Sequence, residues 1–206
     1  LEPGTPSRQA SLIVDPPDGR FPPLTPEGRQ RSAAITARRA NPRSLADRTL
    51  YPRCVTRGLV GSVLPMVTDS GNEILQAPGY VVIRHEMIHE TRIIPLGGRP
   101  FPSSAIRQYM GVSRGQWDGD SLVVETRNLA GDLGVNMNGS GVPTLSPRTV
   151  LTERFTRRSA DVLSYRLTVN DPGTWVSPWT LEFPWRRDAS HTIFAMPRFP
   201  LFAVRY

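Results

Sequence analysis

Between Gly79 and Pro95 the chain reads Tyr-Val-Val-Ile-Arg-His-Glu-Met-Ile-His-Glu-Thr-Arg-Ile-Ile, its longest β-rich run, with a breaker at each end. Valine, isoleucine and threonine at this density, bounded by glycine and proline, predict a strand. That expectation decides how the most conspicuous motif is read. His85-Glu86-Met87-Ile88-His89 is a literal match to the His-Glu-x-x-His zinc signature, which works on a helix, where positions i and i+4 share a face and two imidazoles can reach one metal. In a strand the two rings stand about 13 Å apart. A strand therefore argues against shared zinc, no metal ligands are assigned, and a zinc-dependent hydrolase is kept only as a third reading that requires the stretch to be helical.

Read with period two, Val81, Ile83, His85, Met87, His89, Thr91 and Ile93 form one face without a formal charge, expected to look into a core or cavity. The opposite face carries Arg84, Glu86, Glu90 and Arg92 among Val82, Ile88 and Ile94, the pattern of a solvated ladder of cross-strand pairs.

With 206 residues, 38% of them hydrophobic, the chain is long enough to bury one substantial core, and one structural domain is expected. Within it, residues 1–58 are read as a proline-rich arm with short helices and 59–206 as the β domain. No apolar run approaches the length of a membrane span, and the polar, proline-containing start does not read as a signal peptide. All 25 basic residues are arginine, which removes lysine Schiff-base chemistry and the phosphate-loop lysine. The net charge of +7 permits acidic partners, but the arginines are scattered rather than gathered into a stripe, so nucleic-acid binding is not expected. Cys54 stands alone, leaving neither an internal disulfide nor a thiolate metal cluster.

Proline density through residue 24 predicts an extended arm. Thr25 as N-cap, Pro26 at the first helical position and Glu27 in the first turn predict a helix to about Arg39, ended by Asn41-Pro42. A second helical turn is expected over 44–50. From Leu59 the pattern changes to short, closely spaced strands: 61–66, 73–76, the long central run, 113–117 and 121–127 around Asp118-Gly119, 149–156 and 162–169 around Ser159-Ala-Asp161, then 179–185 and 191–196. Residues 130–147, rich in glycine, proline and asparagine, read as a long loop able to cover a cavity mouth. The fold class is mainly β: an antiparallel meander closing into a small barrel, lipocalin-like in outline, or a strongly curved sheet, preceded by the arm and one short helix.

Several segments together resemble a large, mostly uncharacterised family of exported bacterial proteins. They are Ser11-Leu-Ile-Val-Asp-Pro-Pro-Asp-Gly-Arg20, Arg53-Cys-Val-Thr-Arg-Gly58, His85-Glu-Met-Ile-His89 with Arg92-Ile-Ile-Pro95, Trp117-Asp-Gly-Asp-Ser-Leu-Val-Val-Glu125, and Asp171-Pro-Gly-Thr-Trp175 with Pro178-Trp-Thr180. The resemblance runs through nearly the whole chain. It implies a periplasmic or secreted location and carries no established activity. Two departures stand out: members usually have a further stretch before the proline-rich arm, and they usually end in Cys-His-Glu-Gly-Asn-Tyr where this chain reads Phe194-Ala-Met-Pro-Arg-Phe-Pro. If the family cysteine pairs with the position of Cys54, that bridge is lost here.

Imidazole titrates near neutral pH, so His85 and His89, with Glu86 beside them, are the candidate acid/base residues. Arg92, Met87, Trp117 and Tyr165 are candidate ligand contacts, the aromatic rings suiting a flat hydrophobic molecule. The plain alternatives are a pair of core histidines, a Glu86 and Arg92 ion pair, and aspartates at 118 and 120 selected by a turn. The functional expectation is a cofactor-independent lyase or isomerase acting on a small aromatic or polycyclic compound. A non-catalytic small-ligand-binding protein is the alternative, and oligomeric state is left open.

Overall fold

The computed structural model describes residues 10–65, 71–136, 139 and 141–190. In chain order its elements are β1 (Ile13–Asp15), α1 (Pro26–Ala40), α2 (Gly58–Val63), β2 (Asn72–Ala77), β3 (Tyr80–His85), β4 (Thr91–Pro95), β5 (Val112–Asp118), β6 (Ser121–Arg127), β7 (Val150–Arg157), β8 (Val162–Asn170) and β9 (Trp179–Arg186). Short 3-10 turns lie at Leu45–Asp47 and Met87–His89. Strands β5 to β9 form an antiparallel meander with β1 added beside β9, while β2, β3 and β4 form a second antiparallel sheet. The fold is thus mainly β, as the spacing of the short runs predicts. Among the described residues neither sheet closes into a barrel.

The two sheets meet where Leu96, just after β4, makes one isolated parallel bridge to Gly115 of β5. Gly115 has no side chain, and a Cβ there would stand 2.8 Å from a Leu96 methyl and 2.9 Å from an Ile94 methyl. The bare backbone at Gly115 thus lets Leu96 and Ile94 rest directly on β5. Register fixes which side chains meet. Trp117 pairs with Leu122, Leu122 with Phe155, Phe155 with Tyr165 and Tyr165 with Phe183, and directly paired residues share a face. From the other sheet, Val81, Ile83 and Ile94 join the same core.

The central run is not one strand. Backbone at Glu86 turns helical, Ile88 and His89 take positive φ of 61° and 55°, and His85 N–H donates to the Glu90 carbonyl at 2.8 Å, so β3 and β4 pair as a hairpin. The turn changes the parity of the alternation. Val81, Ile83 and His85 face inward as expected, but after the turn Arg92 and Ile94 are buried whereas Thr91 and Ile93 are exposed. Ile83 is paired with Arg92 and Val81 with Ile94. Local β propensity carried no signal for this reversal.

The strand expected over 61–66 is also replaced: residues 58–63 form α2, and all six are buried. A Cβ on Gly61 would stand 2.8 Å from the Gly139 nitrogen and 3.3 Å from the Asn136 carbonyl oxygen, so backbone at these two residues packs directly on this helix. None of the described residues of 130–147 lines the groove described below. The helix from Pro26 forms as predicted, with Thr25 Oγ1 accepting from Gly28 N–H at 2.9 Å. The Asp171-Pro-Gly-Thr-Trp175 motif is a structural knot: the buried Asp171 carboxylate accepts from Ser146 N–H at 2.7 Å, Gly173 N–H at 3.0 Å and the Thr174 hydroxyl at 2.6 Å. Arg31 of α1 donates to the Thr144 carbonyl beside it at 3.2 Å. The strand expected over 191–196 lies outside the described residues.

Candidate functional site

Two features stand out inside and at the end of the sheets. The first is a polar cluster in the core. Arg92 and Glu153, both buried, form a two-pronged ion pair, with Arg92 Nη1 at 3.0 Å from Glu153 Oε1. Tyr165 O–H donates to the same oxygen at 2.9 Å, and Arg92 Nη2 donates to Ser113 Oγ at 3.1 Å, itself 2.8 Å from Thr126 Oγ1. Burial opposes the charge on Arg92, but the Glu153 carboxylate outweighs it and holds the guanidinium above its ordinary range. Burial, then that same carboxylate, pushes the Tyr165 phenol well up. The cluster is charge-neutral as a whole and held by hydrogen bonds at each member.

Next to it lies His85, whose pKa falls to about 3 through burial, then through the charges of Arg92 and Arg57. Its Nδ1 is 2.6 Å from Asn72 Oδ1. A carboxamide oxygen only accepts, so Nδ1 carries the proton and Nε2 the lone pair. Nε2 is buried without a hydrogen-bond partner among the described residues. Glu90, at the end of the same turn, is pushed up by burial although Thr56 and Ser62 hydroxyls donate to it.

The second feature is a groove of about 880 Å³ between the open end of the large sheet and the β2–β3 hairpin. Ile83, Leu122, Phe155, Leu163 and Trp185 give it an apolar floor, and Trp117, half exposed, stands at its edge. The Trp185 ring lies edge-on to Phe155 at 5.6 Å and stacks on Tyr165 at 5.0 Å, so a rigid aromatic column supports the floor. Arg157, Arg158, Arg186 and Arg187 line the groove with Asp120 and Asp161. Asn72 also lines it, connecting the groove to His85.

The structure separates the residues singled out in the sequence. Trp117 lines the groove, while Tyr165 and Arg92 sit behind its wall in the ion-pair cluster. His85 is enclosed and His89 is exposed on the turn, so the expected histidine pair does not share a face. Glu86, expected outside, is buried and accepts from Gly71 N–H at 3.0 Å; Arg92, also expected outside, faces the core. Met87 lies in the turn, and its side chain is outside the described part of the structure. The helix demanded by His-Glu-x-x-His is not formed, since the left-handed backbone at Ile88 interrupts it. Asp118 ends β5 beside the turn and pairs with Arg154 at 2.7 Å.

Sequence reasoning passed over Glu153, Asn72 and the arginines at the groove. Glu153 had a legible signal, because it alternates with Leu151 and Phe155 on a strand and so must point inward with them. Asn72 had none. Comparison with protein-family models, with curated proteins and with solved structures finds no match.

Proposed function

We propose that this chain binds a small aromatic or otherwise flat hydrophobic molecule in the groove, used in a lipocalin-like way as an apolar cup open at one end. The observation that carries the reading is the floor of Ile83, Leu122, Phe155 and Trp185 with Trp117 at its edge. A volume of about 880 Å³ matches the range typical of small-molecule sites. Titration with 2-naphthalenemethanol, followed by calorimetry, tests it. One site per chain is expected, weakened about tenfold or more by Trp185→Ala, since a ring contact of this kind contributes on the order of 1 kcal/mol beyond its buried area. Binding that survives Trp185→Ala and Trp117→Ala unchanged would place the ligand elsewhere.

A cofactor-independent lyase or isomerase is the second reading, favoured by one observation: Asn72 both lines the groove and holds His85 Nδ1. Against it, an imidazole with a pKa of about 3 is a weak base at pH 7, where general bases work best with a pKa near the ambient pH. Turnover of any groove ligand, abolished by both His85→Ala and Asn72→Ala with binding retained, would establish it. The periplasmic or secreted location implied by the family resemblance belongs to this proposal too.

A further inference from the structure

The mouth of the groove is more specific than its floor. Pairing of Arg157 with Leu163 and of Leu163 with Trp185 puts the three in one row on the inner face, one step outward from the row of Phe155, Tyr165 and Phe183. The Arg157 guanidinium thus borders the apolar floor itself. Its Nε donates to the Ser159 carbonyl at 3.1 Å, and among the described residues no carboxylate pairs with it. Arg158 and Arg186, also at the groove, likewise have no ion pair among the described residues. Arg187 is only loosely held, 3.9 Å from Asp161 with both side chains exposed. Among the described residues, four arginines against the carboxylates of Asp120 and Asp161 leave the mouth positive.

We propose that the groove selects an organic anion, an aromatic or fused-ring carboxylate, whose ring lies on Trp185 and Phe155 and whose carboxylate meets Arg157 with Arg158 and Arg186 beside it. This rests on the binding reading above. Arginine presents a planar fork that matches a carboxylate two bonds at a time, and such charge-assisted bonds are stronger than neutral ones. The four arginines are solvent-exposed, so the attraction is screened by salt and fades as ionic strength rises. The flat faces of Trp117 and Trp185 and the half-open shape suit a ring better than a long acyl chain, which a tunnel would enclose.

Three probes of one shape separate the possibilities on the full chain at pH 7: 2-naphthoate, 2-naphthalenemethanol and 2-naphthylmethylammonium, measured by calorimetry at low and raised salt. The expected order is naphthoate tightest, about tenfold above the alcohol, with the ammonium weakest and the preference shrinking as salt rises. Arg157→Gln is expected to remove most of the naphthoate preference, Arg157→Lys to keep part of it, and Arg166→Gln, on the outer face in a pair with Glu182, to keep all of it. Equal binding of the three probes overturns the anion inference and leaves the groove reading standing. Absence of binding by all three overturns both, and tighter binding of a saturated fatty acid than of naphthoate overturns the aromatic assignment.

Discussion

Removing the Arg92 guanidinium would leave the Glu153 carboxylate in the core with, among the described residues, only the Tyr165 hydroxyl as partner. An uncompensated buried charge of this kind costs about 3–5 kcal/mol, whereas replacing both partners by apolar residues of similar size costs much less. Arg92→Met alone and Glu153→Leu alone are therefore expected to lower unfolding free energy by that amount, and the double variant by clearly less than their sum, in a denaturant-melt cycle. His85 makes a second prediction, with a definite sign. Its folded pKa of about 3 lies below the ordinary value of 6.5, so as pH falls below about 6.5 the unfolded chain takes a proton that the folded chain refuses. The stabilisation is complete above that pH and is lost progressively towards pH 3, with a slope of at most about 1.4 kcal/mol per pH unit. Glu90, raised by burial, works in the opposite sense, so the readout is a difference: stability against pH from 7 to 5 should be flatter in His85→Gln than in the parent protein. Parallel curves would show that His85 titrates normally.

At the scale of elements, the contact between the two sheets depends on a missing side chain. Gly115 sits on β5 directly under Leu96 and Ile94, and Gly115→Val would drive two methyl groups into that contact. Overpacking of this sort costs about 1–3 kcal/mol, and here the strain falls on the β4–β5 bridge, which carries the β2–β3 wall of the groove. The expected result is a lower melting temperature together with weaker 2-naphthalenemethanol binding. A variant that melts lower but binds normally would show that the wall holds its place without that contact. Packing of α2 follows the same logic, since Gly61 allows backbone from Gly139 to rest on the helix.

For the whole molecule, the groove draws its walls from both sheets: Ile83, Val81 and Asn72 from one, Leu122, Phe155 and Trp185 from the other. A ligand seated there binds only when the sheets are together, and so adds its binding free energy to folding. At a free concentration a hundred times its dissociation constant, 2-naphthalenemethanol should stabilise the chain by about 2.7 kcal/mol, visible as a raised melting temperature. No shift at saturation would mean that the site survives unfolding of one sheet, contrary to this geometry.

Turn chemistry and alternation made much of the fold legible in advance. Thr25-Pro26 placed the start of α1, Gly119 with its neighbouring aspartates joined β5 to β6, and residues near Ser159 joined β7 to β8, because caps and tight turns are decided by a few adjacent residues. Alternation likewise identified Val81, Ile83 and His85 as inward-facing. It failed at Ile88, where a β-branched residue takes a left-handed conformation that its own preferences oppose. From there the faces of Arg92 and Ile93 were exchanged, and His89 parted from His85. The same limit hid α2, whose two valines favour a strand by propensity but whose six residues are all buried by packing. Composition and short-range pattern determined a mainly antiparallel β chain with an N-terminal helix. Which charges are buried together, and which aromatic rings meet four arginines at one end of the sheet, depended on contacts between residues far apart in the chain, where no local preference operates.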